Sequence, residues 1–283
     1  MAEIHAFKAD GTPSPGAQAA LASVGDTSVS AGTLARRTAL GGLAAAYLAL
    51  PTGYAPTDDG HAAPKSYVDE RAEYVPEWVG GSFSVLGDSI VSSGARMWDS
   101  VRDRLGFASY RNGGVWGAPM ADGTAKGAGT VTTVRSLDYA RDAMVYIAAG
   151  TNDLTQNVPL GSIGTVAQTT FDRNTFYGAY RSTIEYVLAS NPHVRLFLAT
   201  PIQRDAHGYS VETKNGNGLA LGDYREAILT LGELYGVPVV DMYATAGITA
   251  RTLPTFTEDG LHPNADGFAR MADVACGQLR SHG

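Results

Sequence analysis

Cysteine is nearly absent: Cys276 is alone among 283 residues. One thiol forms no intrachain disulfide and no cysteine-based zinc site. Basic charge is also short, with 21 Lys and Arg against 28 Asp and Glu for a net charge of −7. That balance leaves no electrostatic footprint for nucleic acid or for an anionic membrane surface. No apolar run reaches the roughly 18 residues that a transmembrane helix needs. What remains, 44% hydrophobic and 17% charged residues with 34 Gly, is the composition of a globular protein rather than a disordered one. The length allows one large domain or two ordinary ones of about 100 to 150 residues each, and so leaves room for a segment appended to a single core.

The scarcity of aromatics locates the appendage. Up to Ala46 the only aromatic residue is Phe7, and small and polar residues dominate, so this stretch buries little apolar surface of its own. Residues 1–78 carry 5 basic and 9 acidic side chains, which is −4 of the total −7. Pro76, Gly80 and Gly81 then break local periodicity. We therefore expect an N-terminal attachment or oligomerisation segment over 1–78, extended or partly helical, and a second domain over 79–283.

From Ser82 onward, short β-branched runs alternate with longer helical patterns. Strands are expected at Ser82–Gly87, Phe107–Arg111, Met144–Ala149, Val194–Thr200 and Val237–Met242, several as continuous apolar runs suited to burial on both faces. Helices are expected near Ala95–Leu105, Asp172–Ser190, Gly218–Tyr235 and Ala265–Leu279. Strand followed by helix, repeated, implies an α/β fold with a parallel sheet covered on both faces.

Four segments at the carboxyl ends of these strands carry polar residues. The first strand ends in Gly87-Asp88-Ser89; read alone, Ser89 is a helix N-cap and Asp88 a local turn partner. Asn112-Gly113-Gly114-Val115-Trp116-Gly117 follows the second strand, and glycines there either close an ordinary turn or let a bare N–H approach a ligand. Gly150-Thr151-Asn152-Asp153 follows the third and reads as a cap or turn. Asp259-Gly260-Leu261-His262-Pro263 adds an aspartate and a histidine three apart, so that the carboxylate can accept the Nδ1 proton and leave Nε2 free as a base. Ligands of open parallel sheets bind at this edge.

Together the four segments resemble the sequence blocks of the SGNH (GDSL-type) esterase and lipase superfamily over roughly Ser82 to Gln278. The resemblance implies a three-layer, flavodoxin-like fold of about five parallel strands, and a serine hydrolase with neither cofactor nor metal. It makes Ser89 the nucleophile, His262 the general base and acid, and Asp259 the residue that orients the histidine. The oxyanion hole it implies consists of the Ser89 and Gly114 N–H groups and the Asn152 amide. Gly94 lies five residues after Ser89, one more than the first block leads us to expect, which puts the following helix start one residue later. Trp116 is placed either to stack on a sugar ring or to pack in the core. The stretch from Gln203 to Gly218 reads as a loop beside the site.

Arg36-Arg37 and the apolar residues after them invite comparison with an export signal. About 35 residues precede the arginines, however, and they contain Glu3, Asp10 and Asp26 against Lys8 alone. Together with Lys65-Ser66-Tyr67-Val68-Asp69, the segment resembles bacteriophage tail-fibre and minor tail proteins. That resemblance implies a virion-borne homo-oligomer, commonly a trimer, that joins other tail proteins and presents its C-terminal domain to an acylated glycan or other ester of the host envelope. The expected activity is hydrolysis of short acyl esters, foremost O-acetyl. Two alternatives stand beside it, a receptor-binding adhesin of the same fold and an exported bacterial esterase.

Overall fold

The computed structural model describes residues 78–125 and 127–282, together with one two-residue antiparallel pairing in which Arg36 faces Ala44 and Arg37 faces Leu43. The rest of the N-terminal segment, including Lys65 to Asp69, lies outside the described residues. The chain divides between Val75 and Pro76 into two compact units. Trp78, the last residue of the expected N-terminal segment, is buried in the core of the second unit, with its ring 5.9 Å from that of Phe107.

Five parallel strands form the centre of that unit: β1 (Ser82–Gly87), β2 (Ser109–Gly114), β3 (Asp142–Ala148), β4 (Arg195–Ala199) and β5 (Val239–Val240). Their order is β2-β1-β3-β4-β5, with β2 and β5 at the edges. Successive side chains point to opposite faces, and the central strands are apolar on both. Phe83, Val85, Met144 and Tyr146 join one core cluster, whereas Leu86, Val145 and Ile147 join the other.

Helices α2 (Ala95–Leu105) and α9 (Ala265–Ser281) cover the first face, while α5 (Phe176–Ser190) and α6 (Leu221–Tyr235) cover the second. On α2 the buried residues Met97, Trp98, Val101 and Leu105 form one stripe, and full burial of each such side chain stabilises the fold by about 1.5–3 kcal/mol. This is the parallel sheet covered on both faces that the alternation of strands and helices implies, and the flavodoxin-like α/β fold that the family resemblance implies. Short helices α1 (Ser89–Ser93), α3 (Thr130–Thr133), α4 (Thr151–Thr155), α7 (Met242–Thr245) and α8 (Leu253–Phe256) fill the connections.

Two strands depart from their expected bounds for physical reasons. Strand β5 stops at Val240 because Asp241 caps α7 and pairs with Arg225 at 2.5 Å, which turns the chain out of the sheet. Strand β2 starts later than expected and runs on to Gly114, whose partner on β1 is Gly87. The expected loop 203–218 contains a small hairpin, in which Asp205–Ala206 pairs with Tyr209–Ser210.

Candidate active site

The site lies where β1, β2 and β3 end. β1 runs directly into α1, with Asp88 as N-cap accepting from the Ile90 N–H at 2.9 Å and Ser89 as the first helical residue. The Ser89 N–H is thus one of the donors that a helix start leaves without an intrahelical acceptor. Gly94 joins α1 to α2, so the extra residue in the first block is taken up at the junction between two helices.

On the opposite side, the loop before α9 folds around one carboxylate. Oδ1 of Asp259 accepts from the backbone N–H groups of His262 (2.7 Å) and Leu261 (3.0 Å), while Oδ2 meets His262 Nδ1 at 2.8 Å. Burial alone pushes the Asp259 pKa up, but these hydrogen bonds and the histidine outweigh it and hold the carboxyl at about 2. With the Nδ1 proton directed at a permanent carboxylate, Nε2 is left as an acceptor, and Ser89 Oγ lies 2.9 Å from it. That separation is within the 2.6–3.2 Å over which a base removes a hydroxyl proton.

Ser89, Asn152 and His262 line a cavity of about 280 Å³ with Trp116, Gly117 and Arg204. The Asn152 amide is oriented by a bond from Nδ2 to the Ala118 carbonyl at 3.1 Å, and its second N–H remains for the cavity. The glycine expected to complete this group requires a correction. The Gly114 N–H donates to Asn112 Oδ1 at 2.9 Å, inside the last register position of β2, and its Cα packs under the α1 backbone. Gly117 is the glycine at the cavity. It occupies a tight turn closed by Ala118 N–H to the Val115 carbonyl (3.1 Å), at φ +68°, the left-handed region that glycine enters without strain. Among the described residues nothing accepts from its N–H.

Trp116 is a surface residue, 57% exposed, with its ring centroid 5.4 Å from that of His262. His207 and Tyr209 of the small hairpin form another part of the cavity wall. Beneath the site, burial raises the carboxyl of Asp88 to about 6 and that of Asp153 to about 7 against the backbone N–H groups that each accepts; Asp153 receives those of Met120 and Ala121. Arg204, buried and in contact with the cavity, went unnoticed in the sequence because nothing marks an arginine just beyond a strand as more than a surface residue. Among the described residues no group of three or more His, Cys, Asp or Glu is placed to hold a metal ion, and no helix is long and apolar enough to cross a membrane.

A doubly wound parallel sheet that brings a hydrogen-bonded serine, histidine and aspartate to its strand ends defines a hydrolase architecture. The GDSL-like lipase/acylhydrolase family profile matches residues 85–270, and the chain belongs to that family of ester hydrolases. Solved structures share the fold. A Lactobacillus plantarum protein is 23% identical, with a TM-score of 0.63 over 72% of this chain and 99% of that one. A possible lipase from Chitinophaga pinensis is 21% identical, with a TM-score of 0.60 over 72% and 99%. A GDSL-like lipase from Bacteroides thetaiotaomicron is 19% identical, with a TM-score of 0.52 over 77% and 98%. A comparison with curated proteins found no match.

Proposed function

We propose that this chain is a serine esterase that removes short acyl groups, foremost acetyl, from a glycan of a host cell envelope as part of a phage tail or receptor-binding protein. The observation that carries the chemistry is the continuous hydrogen-bonded chain from Ser89 Oγ through His262 to Asp259. Ser89 Oγ attacks the ester carbonyl as its proton passes to Nε2. The C–O bond to the sugar then breaks, and the departing oxygen takes that proton. Water repeats the sequence on the acyl-serine, releasing the carboxylic acid and restoring Ser89. Asp259 stabilises the transient imidazolium. Negative charge on the carbonyl oxygen meets the Ser89 and Gly117 N–H groups and the Asn152 amide, fixed donors whose individual loss costs on the order of 10²- to 10³-fold in rate.

Two features support a short acyl group on a sugar. Leu261 is the one aliphatic side chain in the described cavity lining, which provides little surface for a long acyl chain. Trp116 presents an exposed ring beside His262, suited to stacking on the apolar face of a sugar. The virion context rests on the sequence pattern around Arg36-Arg37 and Lys65 to Asp69. A p-nitrophenyl ester series tests the acyl preference: acetate should be turned over faster than chains of eight or more carbons, and the reverse order refutes it. Ser89→Ala should abolish both turnover and fluorophosphonate labelling. Absence of labelling in the folded native protein would count against the esterase and favour the receptor-binding adhesin. Release of acetate from purified host wall tests the glycan.

A further inference from the structure

Arg204 is a buried cation, 1% exposed, that contacts the catalytic cavity. Among the described residues no carboxylate forms an ion pair with it; its arms go to neutral groups. Nη1 donates to the Thr151 carbonyl (3.1 Å) and to Thr151 Oγ1 (2.9 Å), and Nη2 donates to the Ala206 carbonyl (3.2 Å). Nε is buried without a partner, and the guanidinium lies 5.9 Å from the Tyr209 ring centroid. Burying a charge without an ion-pair partner costs stability, and the Asp88 and Asp259 carboxylates offset that burial only in part, so its retention calls for a reason in what it connects.

It connects two halves of the site. Thr151 opens α4 immediately before Asn152, and no side chain caps that helix. Ala206 belongs to the hairpin, whose Asp205 N–H donates to the Gly260 carbonyl at 2.9 Å, between Asp259 and His262. The chain of contacts therefore runs from the Asn152 turn through one guanidinium to the loop that holds the base. A planar fork spans two carbonyls at once; a lysine ammonium on a flexible stem does not hold both in one geometry.

We propose that Arg204 is a positioning residue that fixes the Asn152 amide relative to His262 by bridging Thr151 and Ala206. The inference rests on Asn152 acting as an oxyanion donor. Displacing a fixed donor by about 1 Å is enough to cost up to roughly 10²-fold in rate, and the loss should fall on kcat rather than KM.

A double-mutant cycle on p-nitrophenyl acetate with the full chain tests it. Asn152→Ala should lower kcat about 10²- to 10³-fold, and Arg204→Met about 10- to 100-fold with KM little changed. The double variant should be no slower than Asn152→Ala, since a donor already absent has no position to lose. Multiplied effects, or a folded Arg204→Met with native kcat, would overturn the role of Arg204 and leave Asn152 standing. An Asn152→Ala enzyme with native kcat would overturn the oxyanion reading and, with it, the role of Arg204. If Arg204→Met does not fold, Arg204→Lys replaces it in the cycle. A several-fold loss of kcat that vanishes on the Asn152→Ala background supports the bridge, and native kcat for the lysine variant refutes it.

Discussion

Replacing Gly114 by alanine would separate the two glycines of the second sequence block. A Cβ at that position lies 2.3 Å from Ser92 N, 2.8 Å from Ser92 Cα and 2.9 Å from the Asp88 carbonyl oxygen. Non-bonded carbon contacts settle at about 3.5–4.0 Å, so the backbone must open by about 1 Å. All three atoms are main chain, and no side chain can turn aside to make room. Either the edge strand β2 peels from β1, or α1 lifts and carries Ser89 with it. Overpacking of this kind costs about 1–3 kcal/mol, and a domain of this size loses about 2–4 °C in Tm for each kcal/mol. A 1 Å shift of Ser89 away from His262 should lower kcat on the order of 10²-fold. Alanine keeps its N–H, which Asn112 Oδ1 still accepts, so the loss cannot be ascribed to a missing oxyanion donor. Thermal unfolding and p-nitrophenyl acetate hydrolysis on the same preparation provide the check. A Gly114→Ala protein with native Tm and native kcat would refute the steric reasoning.

Asp259→Asn removes the carboxylate that fixes the Nδ1 proton, and kcat should fall by about 10⁴-fold in steady-state assays while the far-UV spectrum stays native. Trp116→Ala should raise KM for an acetylated oligosaccharide by about tenfold, the worth of some 1.4 kcal/mol of stacking, while p-nitrophenyl acetate turnover changes little; equal losses on both substrates would point to a structural tryptophan. The raised carboxyls of Asp88 and Asp153 set a pH dependence of stability. Each binds its proton more tightly in the folded state than at the ordinary value of 3.8, so its contribution is complete below that value and is lost as pH rises through about 6 for Asp88 and about 7 for Asp153. Urea unfolding should therefore give lower stability at pH 8 than at pH 5. Asp259, held at about 2, acts in the opposite sense and loses its contribution as pH falls below 3.8.

The sheet and its four long helices were legible because their signal is local. Apolar runs such as Met144 to Ala149 and the stripe on Ala95–Leu105 carry their periodicity in the sequence. The positions of Ser89, Asp259 and His262 were legible for a related reason, since each follows or precedes a regular element that fixes where its backbone emerges. The roles of Gly114 and Gly117 were not. Whether a glycine at the end of a strand serves the ladder or the cavity depends on where pairing stops, and the last pair of this ladder is Gly114 with Gly87 on β1. Arg204 was hidden for the same reason, because its partners at Thr151 and Ala206 meet only after the sheet has brought β3 and β4 side by side.

The chain has three tryptophans, and the fold distributes them unevenly. Trp78 and Trp98 are 1% and 2% exposed, whereas Trp116 is 57% exposed and next to His262. A collisional quencher such as iodide thus reaches one indole, and that indole borders the cavity. Its emission makes the protein its own optical probe: occupancy by a colourless, non-chromogenic sugar becomes readable as lost quenching, even in a Ser89→Ala variant that turns nothing over.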